Sequence, residues 1–202
     1  MSQMSRPQTR PPAEPLPSLA KSVLDRVLAL LLLLLVGLWL AVIALAIWFA
    51  DDGPLLARDE RVGRNGRRID LLRFRTGEWR RGTGAPADRV SSTALSTPVG
   101  RMVRGHHLDV LPRLVNVVRG DLSLVGPPAR RPDDPRALLH PAVRPGLVRP
   151  WAPTTPPRSD AEEVQAVQRY LRTWAPWHDL GLLWAALIYA TRPDRPRPRA
   201  AR

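Results

Sequence analysis

The stretch VLALLLLLLVGLWLAVIALAIWFA, residues 27–50, carries no charged or strongly polar side chain over its 24 positions. About 20 helical residues suffice to cross a hydrocarbon layer. A helix packed into a soluble core keeps a polar stripe on its outer side, and this run has none, so it reads as a membrane-inserted helix. A cleaved secretory leader is the competing reading. Arg10, Lys21 and Arg26 make a basic lead-in and Ala44-Leu45-Ala46 imitates a small-residue cleavage site. The apolar run is nevertheless longer than the roughly 7–15 residues usual for a leader. Basic residues flank it on both sides, with Arg58, Arg61, Arg64, Arg67 and Arg68 following. Positive flanks prefer the cytoplasm. Both a spanning helix and a re-entrant one that returns by the same face remain open, with Gly37 the sole candidate for a bend.

The chain has 202 residues, enough for one ordinary domain with appendages. Lys and Arg number 31 against 18 Asp and Glu, a net charge of +13, and Lys21 is the single lysine. So arginine-rich a chain points to anionic partners such as phosphorylated substrates, lipid headgroups or nucleic acid. Nucleic-acid binding is disfavoured, because the arginines are scattered rather than gathered on one helix and no reading motif is present. The absence of cysteine excludes disulfide scaffolds, thiolate metal sites and cysteine nucleophiles. Proline, 23 residues in all, clusters at both ends and between Pro127 and Pro157, which marks those parts as loops or tails.

These features predict a mainly helical α+β chain: a Pro-rich disordered tail over 1–19, a membrane helix over 20–50, a small cytoplasmic domain over 51–190 and a basic Pro-rich tail over 191–202. Asp51-Asp52-Gly53-Pro54 reads as a turn. Gly63 and Asn65-Gly66 lead into an extended stretch from Ile69 to Phe74, which predicts a β-hairpin. Residues 80–96 read as a loop, with order resuming at Thr97-Pro98-Val99-Gly100. Leu111, Leu114, Val115 and Val118 fall at helical spacing between Pro112, suited to a first turn, and Gly120, suited to an end. Asp109 lies just before that helix, where its carboxylate and any phosphate oxygens are drawn to the positive helix start, or where it simply caps. A second helix is expected from Ala161 to Arg172, capped by Ser159 or Asp160. The run from Trp174 to Ala190 is too short to span and predicts either a core helix or an amphipathic interfacial one.

The series of motifs resembles a known family. Lys21 and Asp25 open the apolar segment and Gly53-Pro54 closes it. Arg61-Val-Gly-Arg-Asn-Gly66, Arg73-Phe-Arg-Thr76, Thr97-Pro-Val-Gly-Arg101, Arg104, Leu108-Asp109, Leu111-Pro112, Asn116-Val117, Gly120-Asp-Leu-Ser-Leu-Val-Gly-Pro127 and Arg144-Pro-Gly146 follow in order. The chain resembles the bacterial sugar transferases, monotopic polyprenyl-phosphate phosphoglycosyltransferases that begin surface-glycan assembly. The resemblance implies an enzyme at the inner cell membrane, its bulk cytoplasmic, that moves a sugar 1-phosphate from a nucleotide (UDP) sugar to polyprenyl phosphate. The aspartate matching Asp109 would attack phosphorus and carry the phosphosugar as a covalent intermediate. Magnesium and arginines would neutralise the phosphates. Arg61, Arg73, Arg75, Arg101, Arg104 and Arg144 are the candidate phosphate-binding arginines, some of them serving packing instead.

Departures from the pattern accompany the resemblance. The glutamate expected after the aspartate is Val110, which cannot coordinate a metal. The expected Gly-Pro-Arg-Pro is Gly126-Pro127-Pro128-Ala129, with Arg130 and Arg131 as candidates to reach back. Ala94-Leu95-Ser96 lacks the arginine expected before Thr97, the Thr-Gly expected after Arg144-Pro-Gly146 is Val148-Arg149, and the helix-bending Ser-Pro is Gly37-Leu38. Asp121, Asp59 or Glu60 are substitute carboxylates, and His106-His107 are nitrogen ligands of a kind magnesium does not prefer. The site thus reads as degenerate. The alternative function is a catalytically silent relative that binds lipid phosphate or a partner glycosyltransferase.

Overall fold

The computed structural model describes residues 19–50, 54–77, 97–140, 142–151 and 155–191. The expected tails over 1–19 and 191–202, the first three residues of the turn expected at Asp51-Asp52-Gly53-Pro54 and the loop over 80–96 lie outside the described residues, apart from Leu19 and Thr191, which end helices. The architecture is the mainly helical α+β one expected. Helix α1 (Leu19–Ala50) precedes strands β1 (Leu56–Val62) and β2 (Arg68–Phe74). Helices α2 (Pro98–Gly105) and α3 (Arg113–Arg119) follow, then strands β3 (Ser123–Val125) and β4 (Gly146–Val148), and helices α4 (Asp160–Arg172) and α5 (Pro176–Thr191).

Leucine-rich sequence without proline makes α1 continuous through Gly37 over 32 residues, about 48 Å at 1.5 Å per residue. It is long and apolar enough to cross a membrane. One stripe is nonetheless occupied by protein. Leu28, Ala29, Leu32 and Leu33 pack into a core with Leu71, Leu114, Val117 and Leu124. Further along, Ile43 and Ile47 pack with Phe74 and Val103. Both halves of α1 therefore rest on the same domain. The opposite stripe, including Leu34, Leu38, Trp39, Leu45 and Phe49, is exposed.

The hairpin forms where expected, with Leu56 opposite Phe74 and Val62 opposite Arg68. Its reversal is a short 3-10 turn over Arg64–Gly66, in which Asn65 (φ 57°) and Gly66 (φ 75°) take the left-handed conformation that these two residue types tolerate best. Alternation sets the faces. Ala57, Ile69 and Leu71 point to the core, while the Glu60–Arg68 pair sits on the solvent side. The free edge of β2 is closed by one side chain. Asn116 on α3, fully buried, donates Nδ2 to the Asp70 carbonyl at 2.8 Å and accepts the Leu72 N–H at 3.0 Å, as a neighbouring strand would.

The proline-rich stretch read as loop contains β4, which pairs in parallel with β3 just ahead of that stretch, Ser123 with Gly146 and Val125 with Val148. Three-residue strands are too short to show an alternating pattern. Close backbone approach identifies the place: a Cβ on Gly146 would lie 2.0 Å from the Gly126 amide nitrogen. The helix predicted over 161–172 begins at Asp160, with Ser159 accepting the Glu162 N–H at 3.2 Å and Glu162 accepting the Arg158 N–H at 2.7 Å.

A buried ionic hub joins the first helix to the last two. Lys21 reaches Asp179 at 2.8 Å and Asp25 at 3.4 Å, and its ammonium lies 5.7 Å from the ring centres of both Tyr170 and Trp174. Asp179 also accepts from the Tyr170 hydroxyl and from Trp174 Nε1 at 3.0 Å. Ser123 Oγ contacts Asp25 at 2.6 Å. Asp179 pins α5 through its one polar side, leaving Trp177, Leu180, Trp184 and Leu187 exposed. The helix thus packs Leu182 and Leu183 on the core and keeps an exposed apolar face.

Candidate active site

Asp109 lies in a 3-10 turn, Leu108–Val110, entered through His107 in the left-handed conformation (φ 56°). The helix expected to follow directly starts only at Arg113, with Pro112 as its N-cap. Asp109 thus lies four residues before the first residue of the helix, and the helix, seven residues long, offers no extended N-terminal field. What Asp109 has instead is a cation from the first residue of α3.

Arg113 is the residue that the motif reading missed. Burial pushes its guanidinium below the ordinary arginine range. Asp59 opposes that effect, Arg61 adds to it, Asp109 opposes it and Arg73 adds to it. Two carboxylates and three guanidiniums therefore share one neighbourhood, drawn from β1, β2, the Asp109 turn and the start of α3. Alternation explains how the hairpin contributes: Asp59, Arg61 and Arg73 occupy core-directed positions, at the rim where the core gives out. Arg61 is held by Asp59 at 2.6 Å and reaches the Ala129 carbonyl at 3.4 Å. Arg73 and Arg113 each have a buried Nε without a partner among the described residues. Buried donors of that kind call for an acceptor, and a charged one prefers an anion. Burial together with two opposing charges was the available signal, and neither is visible in the order of residues.

The other candidates divide. Arg104 donates to Thr76 Oγ1, and Arg75 is buried beside it with its N–H on the Leu55 carbonyl at 3.0 Å. Gly100 explains that contact, since a Cβ there would lie 2.1 Å from the Thr76 carbonyl oxygen. Arg104 therefore ties α2 to the chain just after β2, where Arg75 is buried. Arg101 is exposed on α2. Arg144 and Asp121 are found at the far end of α3, lining a different pocket with Arg64 and Arg67. Arg130 does not reach back toward the site, because Glu163 holds it at 2.7 and 2.6 Å and Asp134 at 3.2 Å. Arg131 is exposed. His106 and His107 are exposed as well, with His106 Nδ1 2.9 Å from the Met102 carbonyl. Among the described residues no group of three His, Cys, Asp or Glu side chains could enclose a metal ion.

Residues 16–192 match the family described as "Bacterial sugar transferase". A UDP-glucose:undecaprenyl-phosphate glucose-1-phosphate transferase of Caulobacter vibrioides is 36% identical over 191 residues, covering 85% of this chain and 71% of that protein. The protein of the same name from Escherichia coli K12 is 29% identical over 84% of this chain, which spans 40% of its length. The exopolysaccharide production protein ExoY of Rhizobium meliloti is 28% identical, covering 90% of this chain and 89% of its own. With the motif order, the hairpin and the aspartate–arginine cluster, this match makes the chain a member of the bacterial sugar transferase family.

Proposed function

We propose that the chain transfers a hexose 1-phosphate from a UDP-sugar to a polyprenyl phosphate, with Asp109 as nucleophile. The observation that carries this reading is the buried guanidinium of Arg113, which feels the charges of Asp109, Asp59, Arg61 and Arg73, in a chain of this family. An Asp109 oxygen attacks the sugar-bearing phosphorus, the bond to the bridging oxygen breaks, and uridine monophosphate leaves. An oxygen of polyprenyl phosphate then attacks the same phosphorus and releases the carboxylate, giving the lipid diphosphosugar. Orphaned guanidinium donors of Arg73 and Arg113 suit the non-bridging oxygens, where charge concentrates in each transfer.

Magnesium, implied by the family resemblance, fits these residues poorly. It needs oxygen ligands. Val110 offers no side-chain ligand, Asp59 is engaged by Arg61 at 2.6 Å, and Asp109 is committed to the phosphorus. The guanidiniums supply the positive charge in its place, and no step here runs through a metal. Val110 also motivates the second reading, a silent relative that binds lipid phosphate or a partner glycosyltransferase.

The membrane seat follows from two exposed apolar surfaces. Both halves of α1 lie against the domain, so a straight crossing that leaves the domain at one end does not suit it. We place the outward stripe of α1 and the exposed face of α5 in the lipid of the inner membrane, with the Asp109 site on its cytoplasmic side, as an interfacial anchor. The deciding experiment measures uridine monophosphate release by the membrane-reconstituted protein from UDP-glucose and UDP-galactose with undecaprenyl phosphate. Release is expected in the wild type and not in Asp109→Asn. Silence in the wild type with release by Val110→Glu would establish the silent reading.

A further inference from the structure

A second arginine cluster occupies the opposite end of α3 from Asp109. Seven helical residues, about 10 Å of rise, separate the two. An open pocket of about 260 Å³ is lined there by Arg64, Arg67, Ile69, Asp121 and Arg144, with Gly120 at its floor. Gly120 has φ +86° and ends α3, and the Arg26 guanidinium lies over its bare Cα, 2.6 Å from where a Cβ would stand. Arg26, Arg64, Arg67 and Arg144 thus converge on one place from α1, the hairpin turn and the segment before β4.

Such a gathering lacks its counter-charge. Asp121 is the one carboxylate lining the pocket. Asp25, nearest on α1, is already engaged by Lys21 and Ser123. Among the described residues no carboxylate pairs with any of the four arginines; Arg144 has only a neutral partner, Ser22 Oγ at 2.9 Å. The Arg64 Nε is buried without a partner among the described residues. Burial, then Arg64 and Arg26, holds the Arg144 guanidinium below its ordinary range, with Asp25 opposing. Four guanidiniums facing one carboxylate leave about three positive charges uncompensated, an arrangement that favours an anionic ligand.

The location selects the anion. Arg26 immediately precedes the uncharged run from Val27 to Ala50, so this cluster stands where a polar headgroup meets the apolar layer. It is also too far along α3 for anything bound there to exchange phosphorus with Asp109. We infer that the pocket formed by Arg26, Arg64, Arg67 and Arg144 holds the headgroup phosphate of a resident anionic phospholipid, a site separate from the one that handles the substrates.

The test is native mass spectrometry of the full-length protein in detergent, titrated with phosphatidylglycerol. Wild type should retain one phosphatidylglycerol per chain, and Arg64→Gln/Arg144→Gln should bind it at least tenfold more weakly. Arg64→Lys/Arg144→Lys, which keeps the charge, should recover most of the binding, and Arg58→Gln on the outer hairpin face should bind as wild type does. Equal retention by wild type and the double glutamine variant would overturn the proposal. So would displacement of the lipid by an equal concentration of inorganic phosphate, which would make the ligand a soluble anion. Retention of undecaprenyl phosphate in preference to phosphatidylglycerol would overturn it too, since the pocket would then belong to the acceptor. Lipid counting needs no turnover, so its failure leaves the transferase reading untouched.

Discussion

Lys21 and Asp179 are separated by 158 residues in sequence and by 2.8 Å in the fold. The pair closes the structure on itself, fastening the start of α1 to α5 beneath the rings of Tyr170 and Trp174. Lys21→Met leaves Asp25 and Asp179 buried without their shared cation, and breaking a buried pair in this way costs about 3–5 kcal/mol. The midpoint of thermal unfolding in detergent should fall accordingly, and Lys21→Met/Asp179→Leu should recover part of the loss. An unchanged midpoint in the single variant would contradict the role given to the hub.

Tyr170 gives this hub a pH dependence. Burial, with the hydrogen bond to Asp179 and its charge, pushes the phenol well above its usual value of 10.0. An unfolded tyrosine ionises near pH 10 while the folded one keeps its proton. Stability from this group is therefore complete below about pH 10 and is lost as pH rises beyond it. Tyr170→Phe should flatten the fall in unfolding midpoint between about pH 9 and 11, and parallel curves for the two proteins would refute the assignment.

Asn116 acts as a surrogate strand, so its truncation should reveal itself without touching the site directly. Asn116→Ala leaves the Leu72 N–H and the Asp70 carbonyl unpaired. Stranding a buried polar group costs about 1–3 kcal/mol. Hydrogen exchange at the Leu72 amide should accelerate, and unchanged protection there would show that β2 does not depend on this side chain.

Arg113→Gln removes the charge but keeps a polar side chain of similar reach. Loss of one oriented contact to a transition state lowers turnover about 100–1000-fold. The unfolding midpoint should hold, since the Nε has no partner among the described residues to lose. Arg113→Lys should recover part of kcat. A variant with wild-type kcat/KM would exclude Arg113 from the site.

Positive charge from guanidiniums predicts tolerance to chelation. Uridine monophosphate release should persist when magnesium is removed with excess chelator. Abolition by chelator and restoration by magnesium would contradict the arginine-only site.

Much of the fold was legible because it is periodic or punctuated. The uncharged run of α1, the Asn65-Gly66 turn, and the Pro112 and Gly120 boundaries of α3 each carry their cause in adjacent residues. The parallel pairing of β3 with β4 did not, since it depends on two glycine backbones meeting across 20 residues of proline-rich chain. The candidate site was half legible. Motif order alone nominates Asp109, Arg61 and Arg73, but Arg113 sits in a helix where a basic residue looks like an ordinary solvated charge, and only its burial and the nearby charges of Asp59 and Asp109 single it out. Arg144, a candidate phosphate-binding arginine by motif, lies toward the Gly120 end of α3, a placement that sequence order does not carry.

The central claim is that Asp109 carries the phosphosugar. The direct measurement is intact-protein mass spectrometry after mixing the reconstituted protein with UDP-glucose or UDP-galactose in the absence of polyprenyl phosphate. The account predicts one hexose-phosphate adduct per chain, located on Asp109, released when undecaprenyl phosphate is added and absent from Asp109→Asn. Turnover without an adduct, or an adduct that survives in Asp109→Asn, would contradict it.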